Sequence, residues 1–142
     1  MEVHGLEEME AEARRFVGSL VPDPASARVV ALSGELGAGK TTFAQGIARA
    51  LGVEENVTSP TFVIEKIYQL QNKEFSRLIH IDAYRLNDPH ELEVLGWREI
   101  IADPTNLIVI EWPEKVADLI PANAMHVSFK GVGDSREIIR SS

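Results

Sequence analysis

Apolar positions along this chain switch between two periods, and the switches mark its elements. Leu6, Met9, Ala13, Phe16, Val17 and Leu20 share one helical face, while Glu7, Glu8, Glu10, Glu12, Arg14 and Arg15 cover the other. That stripe predicts an amphipathic helix packed on a sheet, with its acidic side in water. Pro22-Asp23-Pro24 ends the segment and leads into Arg28-Val29-Val30-Ala31-Leu32-Ser33, a buried strand by its unbroken apolar run. Helical spacing returns at Phe43, Ile47, Ala48 and Leu51, and Gly52 is the stop signal.

Further on, residues 62–70 and 75–83 read as two strands joined by the short turn Gln71-Asn72-Lys73-Glu74. A hairpin makes an antiparallel pair, so the sheet is expected to be mixed. Asp88-Pro89-His90-Glu91 has the form of a helix start, with Asp88 as cap, Pro89 as first helical residue and Glu91 at the capping-box position. Leu92 and Leu95 are expected inside, His90 outside, and Gly96 closes the turn before a short helix over 97–102. Leu107-Ile108-Val109-Ile110-Glu111 is a strand ending in an acid. Pro113 begins a helix through Leu119. Residues 125–130 and 136–139 form a closing hairpin expected at a sheet edge.

Composition narrows the class. The 142 residues are one domain's worth, 44% hydrophobic and 25% charged. With no cysteine, disulfides and thiolate metal sites are excluded, and His4, His80, His90 and His126 lack metal-ligand spacing. A net charge of −8 argues against strong direct nucleic-acid binding, which needs clustered Lys and Arg. No basic region followed by an apolar run opens the chain, so no signal peptide is expected. No apolar run reaches membrane-spanning length, so a cytoplasmic protein with no membrane partner is expected.

Candidate chemistry lies between the first strand and the second helix. Gly34-Glu35-Leu36-Gly37-Ala38-Gly39-Lys40-Thr41-Thr42 fits G-x-x-x-x-G-K-[ST], the phosphate-binding P-loop. Its glycines let main-chain N–H groups turn inward into an anion cradle. Lys40 can reach the β- and γ-phosphates, Thr41 offers a hydroxyl to Mg²⁺, and the helix dipole points its positive end at the site. The flanking strand and helix supply the context this motif requires.

Two strands then end in an acid, at Asp82 and at Glu111, and the second follows four uninterrupted aliphatic residues. An acid there can hold the Mg²⁺ shell or the attacking water. It can also simply mark the end of a buried strand. Ser59 and Thr61, around Pro60, stand where nucleotide switches place a loop over the γ-phosphate, or else form a Ser/Thr-rich turn. Trp112 is either core or an aromatic beside the site. Arg136 either stacks on a base or is a surface arginine. Together these features predict an α/β, single-domain P-loop NTPase fold over 1–142, its mixed parallel/antiparallel sheet flanked by helices.

The loop 34–43, Thr58-Ser59-Pro60-Thr61-Phe62, His80-Ile81-Asp82-Ala83-Tyr84-Arg85-Leu86 and Ile110-Glu111-Trp112-Pro113-Glu114 follow one another in an order that closely resembles the bacterial TsaE (YjeE) family. The resemblance covers essentially the whole chain. It implies a small P-loop ATPase of tRNA threonylcarbamoyladenosine synthesis, using ATP and Mg²⁺. The implied partners are TsaD and TsaB, with tRNA reached only through the complex. It implies Thr41 and Glu111 on the Mg²⁺ side, Asp82 orienting water, Trp112 beside the catalytic site or partner surface, and Thr61 in a switch-like loop. Met9 stands where family members often carry a threonine that contacts the adenine, and Arg136 is an adenine-side residue.

Other P-loop classes fit less well. A small-molecule or nucleotide kinase needs a second substrate pocket and usually an arginine-rich lid, yet the nine arginines are scattered. A signalling GTPase selects guanine with Asn-Lys-x-Asp, and the nearest match, Asn72-Lys73-Glu74-Phe75, has Phe75 in place of the acid. No arginine finger is obvious: Arg85 is one intrachain candidate, and a partner could supply another. Slow hydrolysis alone and faster or strictly coupled turnover with partners is therefore expected.

Overall fold

The computed structural model describes residues 2–35, 39–53, 65–71, 74–132 and 135–141. Leu36, Gly37, Ala38 and the whole Thr58–Phe62 segment, Ser59 and Thr61 included, lie outside the described residues. Seven strands form one sheet in the order β1-β7-β6-β2-β5-β4-β3. They are β1 (Glu2–Val3), β2 (Arg28–Gly34), β3 (Glu65–Gln69), β4 (Arg77–Asp82), β5 (Asn106–Glu111), β6 (Met125–Val132) and β7 (Ser135–Ser141). β2 runs parallel to both β5 and β6, and β4 runs parallel to β5. β3, β7 and β1 each add an antiparallel pair, so the sheet is mixed as the hairpins predict.

The central strands are apolar on both faces because helices cover both. Val30, Leu32, Leu107, Val109 and Leu78 point to one side, onto α1 (Gly5–Ser19) and α2 (Lys40–Ala50). Their alternates Val29, Ala31, Ile108, Ile110, Ile79 and Ile81 point to the other side, onto α3 (His90–Val94), α4 (Trp97–Ala102) and a 3-10 helix (Pro113–Leu119). This period of two decides the site. His80 and Asp82 follow Leu78, and Glu111 follows Val109, so all three belong to the face that carries α2.

Local signals act as the sequence implies. Gly52, at φ 88°, ends α2 with Gly52 N–H donating to Arg49 C=O and Val53 N–H to Ala48 C=O, the paired bonds of a Schellman stop. The Asp88 carboxylate accepts His90 N–H at 2.9 Å, so it caps the α3 turn, and Gly96 at φ 89° joins α3 to α4.

Several expectations need correction. Leu6, expected on the buried stripe, is 69% exposed in the first turn of α1. Glu12, expected in water, is 3% exposed: Arg15 on its own helix and Arg140 on β7 both donate to it, and this pairing makes burial tolerable. Leu95 lies at the α3 stop and is 38% exposed, whereas Leu92 is buried. The segment after Pro113 is two 3-10 turns kinked at Val116 rather than one regular helix. The closing hairpin is no mere edge: β6 pairs directly with β2, and the two-residue β1 takes the outer position. Among the described residues no helix is long and apolar enough to cross a membrane.

Candidate nucleotide site

Three strand ends and one helix start converge at the carboxyl edge of the sheet, the usual ligand edge of open α/β sheets. β2 delivers Gly34 and Glu35, and α2 begins at Lys40 behind Gly39, which holds φ 106°. Both glycines are required by φ, and Gly34 by space as well. A Cβ on Gly34 would stand 2.4 Å from the Phe129 carbonyl oxygen, and one on Gly39 would stand 2.7 Å from Met9 Cε. The first is a clash with fixed backbone.

Lys40 is 4% exposed. Its ammonium donates to the Gly34 carbonyl and, at 3.4 Å, to the Glu35 carbonyl, and sits 3.5 Å from the centroid of the Trp112 ring. Burial pushes its pKa below the ordinary 10.5, while Glu111, Glu114 and Asp82 pull it back up. Trp112, half-buried, is the only non-glycine described residue with positive φ, at 61°. A bulky side chain there carries strain of about 1–3 kcal/mol. Its N–H donates to Leu32 C=O at 3.2 Å, and its ring meets Tyr84 at 5.1 Å, so β2 and the Tyr84 turn hold it over Lys40.

Thr41, on the first turn of α2, donates its hydroxyl to Glu111 Oε1 at 3.1 Å. Glu111 is 2% exposed, and its other oxygen, Oε2, lies 2.6 Å from His80 Nε2. Asp82 is the register partner of Glu111 on the neighbouring strand, and its Oδ1 accepts Tyr84 N–H at 3.0 Å. The two acids that the sequence leaves as rivals therefore stand side by side, with Glu111 the one bonded to the P-loop threonine. Hydroxyl and carboxylate oxygens are hard ligands suited to Mg²⁺, which keeps several waters and needs only one or two protein ligands beside phosphate oxygens. Among the described residues no cluster of three or more His, Cys, Asp or Glu side chains is arranged to hold a metal alone.

On the other side of α2's first turn is a cavity of about 200 Å³ lined by Val3, Gly5, Leu6, Met9, Gly39, Thr42 and Arg136. Met9, Arg136 and Thr42, distant in sequence, thus share one concavity. Gly34, Glu35, Gly39, Lys40, Thr41, Asp82, Glu111 and Trp112 gather at the strand ends. Of the remaining candidates, Leu36, Gly37, Ala38 and Thr61 lie outside the described residues. Two contributors escaped the sequence reading. His80 looked like an interruption of an apolar run, although its spacing of two from Asp82 already put both on one face. Tyr84 gave no local sign that its ring would meet Trp112.

Comparison with known proteins converges with this geometry. A family model described as threonylcarbamoyl adenosine biosynthesis protein TsaE matches residues 3–138. The tRNA threonylcarbamoyladenosine biosynthesis protein TsaE of Borreliella burgdorferi is 38% identical over 112 residues, covering 78% of this chain and 79% of that protein. The protein of the same name from Haemophilus influenzae is 38% identical over 110 residues, 78% of this chain and 67% of that one. That from Bacillus subtilis is 40% identical over 111 residues, 78% of this chain and 66% of that one. Among solved structures, that of Bacillus subtilis YdiB superposes with a TM-score of 0.76 at 29% identity, covering 97% of this chain and 80% of that chain. A glycine-cradled lysine, an acid bonded to the next threonine and a family match from residue 3 to residue 138 lead to one assignment: the chain belongs to the TsaE family of threonylcarbamoyl adenosine biosynthesis proteins.

Proposed function

We propose that this chain is the ATP-binding and hydrolysing subunit of tRNA threonylcarbamoyladenosine synthesis, working in the cytoplasm with TsaD and TsaB and meeting tRNA only through them. The observation that carries the reading is the Thr41–Glu111 hydrogen bond of 3.1 Å, at the start of the helix whose first residue is the buried Lys40. A structural glycine turn has no use for a desolvated lysine next to a threonine tied to a strand-end acid. The family names of the relatives give the pathway.

In this reading main-chain N–H groups of the 34–41 loop receive the phosphates. Lys40 exchanges the Gly34 and Glu35 carbonyls for β- and γ-phosphate oxygens, and stabilises charge that grows as the terminal phosphoryl group departs. Thr41 and Glu111 would hold Mg²⁺, which would supply neutralisation of the triphosphate's charge. Asp82 orients the water for in-line attack. Trp112 keeps bulk water from Lys40 and faces outward for a partner. The base enters the cavity between Met9 and Arg136, where it would cover the exposed Leu6. The methionine packs against the ring but supplies no hydroxyl. Thr61 belongs to a loop that responds to the γ-phosphate.

Calorimetric titration with ATP, in magnesium and in chelator, tests the binding half. Uptake that strengthens with magnesium is expected, and its absence with or without partners sinks the reading. Hydrolysis measured alone and with TsaD and TsaB tests the rest. Slow turnover alone and faster or strictly coupled turnover together is expected. A fast isolated chain indifferent to its partners contradicts it.

A further inference from the structure

One buried titratable side chain at the site has no part in the mechanism above. His80 is 2% exposed in the middle of β4, and so is Glu111 at the end of β5. They are not direct cross-strand neighbours. His80 faces Val109 in the register and Asp82 faces Glu111, so the histidine reaches diagonally to Glu111, at 2.6 Å. On its other side the register partner is Lys66 of β3, whose ammonium lies 5.4 Å from the Tyr68 ring centroid. The carboxylate is thus gripped at both oxygens: Nε2 of His80 on Oε2 and the Thr41 hydroxyl on Oε1.

We infer that His80 is a positioning residue for Glu111, holding one carboxylate oxygen inward so that the other stays turned to Thr41 and to the magnesium of a bound nucleotide. The inference rests on the nucleotide reading above and adds a residue to it. In this role the Nε2–H of His80 donates to Oε2, as the Thr41 hydroxyl donates to Oε1. The physical need is specific. A buried carboxylate with one free oxygen can rotate about its last torsion, which is soft. A rotated Glu111 would lose the Thr41 contact and present the wrong edge to a cation that tolerates little deviation from octahedral geometry. Histidine brings a rigid ring whose donor stands far enough from its own Cα to bridge the diagonal between strands.

A purely structural pair would hold the strands together and leave magnesium use untouched, and this separates the two roles. Titration of ATP is performed in chelator and in excess magnesium on the full chain and on His80→Leu, His80→Asn and His80→Gln. In chelator all four are expected to bind within about threefold of one another, because His80 acts on Glu111 while Lys40 is held by the Gly34 and Glu35 carbonyls. The gain conferred by magnesium should shrink about 10- to 100-fold in the Leu and Asn variants, the usual effect of losing a partner behind a metal ligand. It should return with Gln, whose amide N–H reaches where Nε2 stands. Leu removes the donor and Asn shortens it, so if the Leu variant fails to fold the Asn variant still decides. An imidazole ¹⁵N–¹H spectrum of the nucleotide-free chain should show the proton on Nε2.

Full magnesium gain in His80→Leu or His80→Asn, or a loss equal in chelator and in magnesium, overturns the inference. So does failure of His80→Gln to restore the gain, a proton found on Nδ1 alone, or an unsubstituted chain that binds ATP but gains nothing from magnesium. An unsubstituted chain that takes up no ATP under either condition brings down the nucleotide reading itself, and the two failures stay distinct.

Discussion

At the scale of single residues the site is a set of charges held out of water until a ligand arrives. Lys40 is the clearest case. Desolvation lowers its pKa below 10.5, and a bound triphosphate must raise it again because it stabilises the ammonium. ATP affinity should therefore fall as pH rises through the free-site pKa, by at most about tenfold per pH unit, whereas Lys40→Arg keeps its charge and gives a flat profile. Titrations between pH 7 and pH 10 read this directly, and equal slopes for both proteins refute it. The ligand-free fold responds with the opposite sign. The unfolded lysine keeps its proton up to the ordinary value while the folded one releases it earlier, so this group favours the fold more as pH climbs through that window. The neighbouring acids separate in the same way by contact. Glu111→Ala removes the partner of Thr41 and should weaken magnesium-ATP binding, while Asp82→Ala should spare binding and stop turnover with partners present. The reverse outcome would exchange their roles. Sequence reached these residues because each ends an apolar run. It could not rank them, since the hydrogen bond that distinguishes them spans 70 positions.

At the scale of elements, what was legible is what is local. The strand–loop–helix around Lys40, the Gly52 and Gly96 stops and the Asp88 cap follow from periodicity and backbone freedom within a few residues. Glu12 was not legible, because its burial depends on Arg140, 128 positions away. β1 was not legible because two residues carry no period. The 3-10 turns after Pro113 were hidden because Pro at a helix start announces a helix but not its type. One packing contact likewise depends on two elements at once. Gly46 of α2 lies against α1 so closely that a Cβ there would stand 2.7 Å from Ala13 Cβ. Gly→Ala in a helix interior normally gains about 1 kcal/mol. Here the methyl groups have no room, and overpacking costs about 1–3 kcal/mol. Gly46→Ala should therefore lose up to about 2 kcal/mol net, read from the denaturant midpoint. A gain in stability would mean that α1 and α2 can separate without penalty.

At the scale of the whole molecule, the site is assembled by segments from both ends of the chain, so remote anchors govern binding. α1 carries Met9 on the cavity wall and, one turn later, Glu12, which Arg140 ties to β7; β7 itself contributes Arg136 to the same cavity. Loss of Glu12 removes the buried carboxylate that ties α1 to β7, leaves two partly exposed arginines to be hydrated, and frees α1 to shift against β7. Glu12→Ala should therefore weaken ATP binding severalfold although Glu12 lines no part of the cavity. Destabilisation alone does not predict this, and Asn106 supplies the control. Fully buried at the start of β5, the far end from Glu111, Asn106 donates to Ile100 C=O at 2.9 Å and accepts from Arg77 at 3.0 Å. Asn106→Ala also removes buried hydrogen bonds and should lower the melting temperature, yet the ATP affinity of its folded fraction should stay unchanged, because no part of the cavity leans on it. In both variants saturating ligand should recover stability by mass action, about 2.7 kcal/mol at a hundredfold excess over each protein's own Kd. Equal affinities in the Glu12 and Asn106 variants would show that α1 keeps its place without its tie to β7, and would leave Met9 and Arg136 as independent walls.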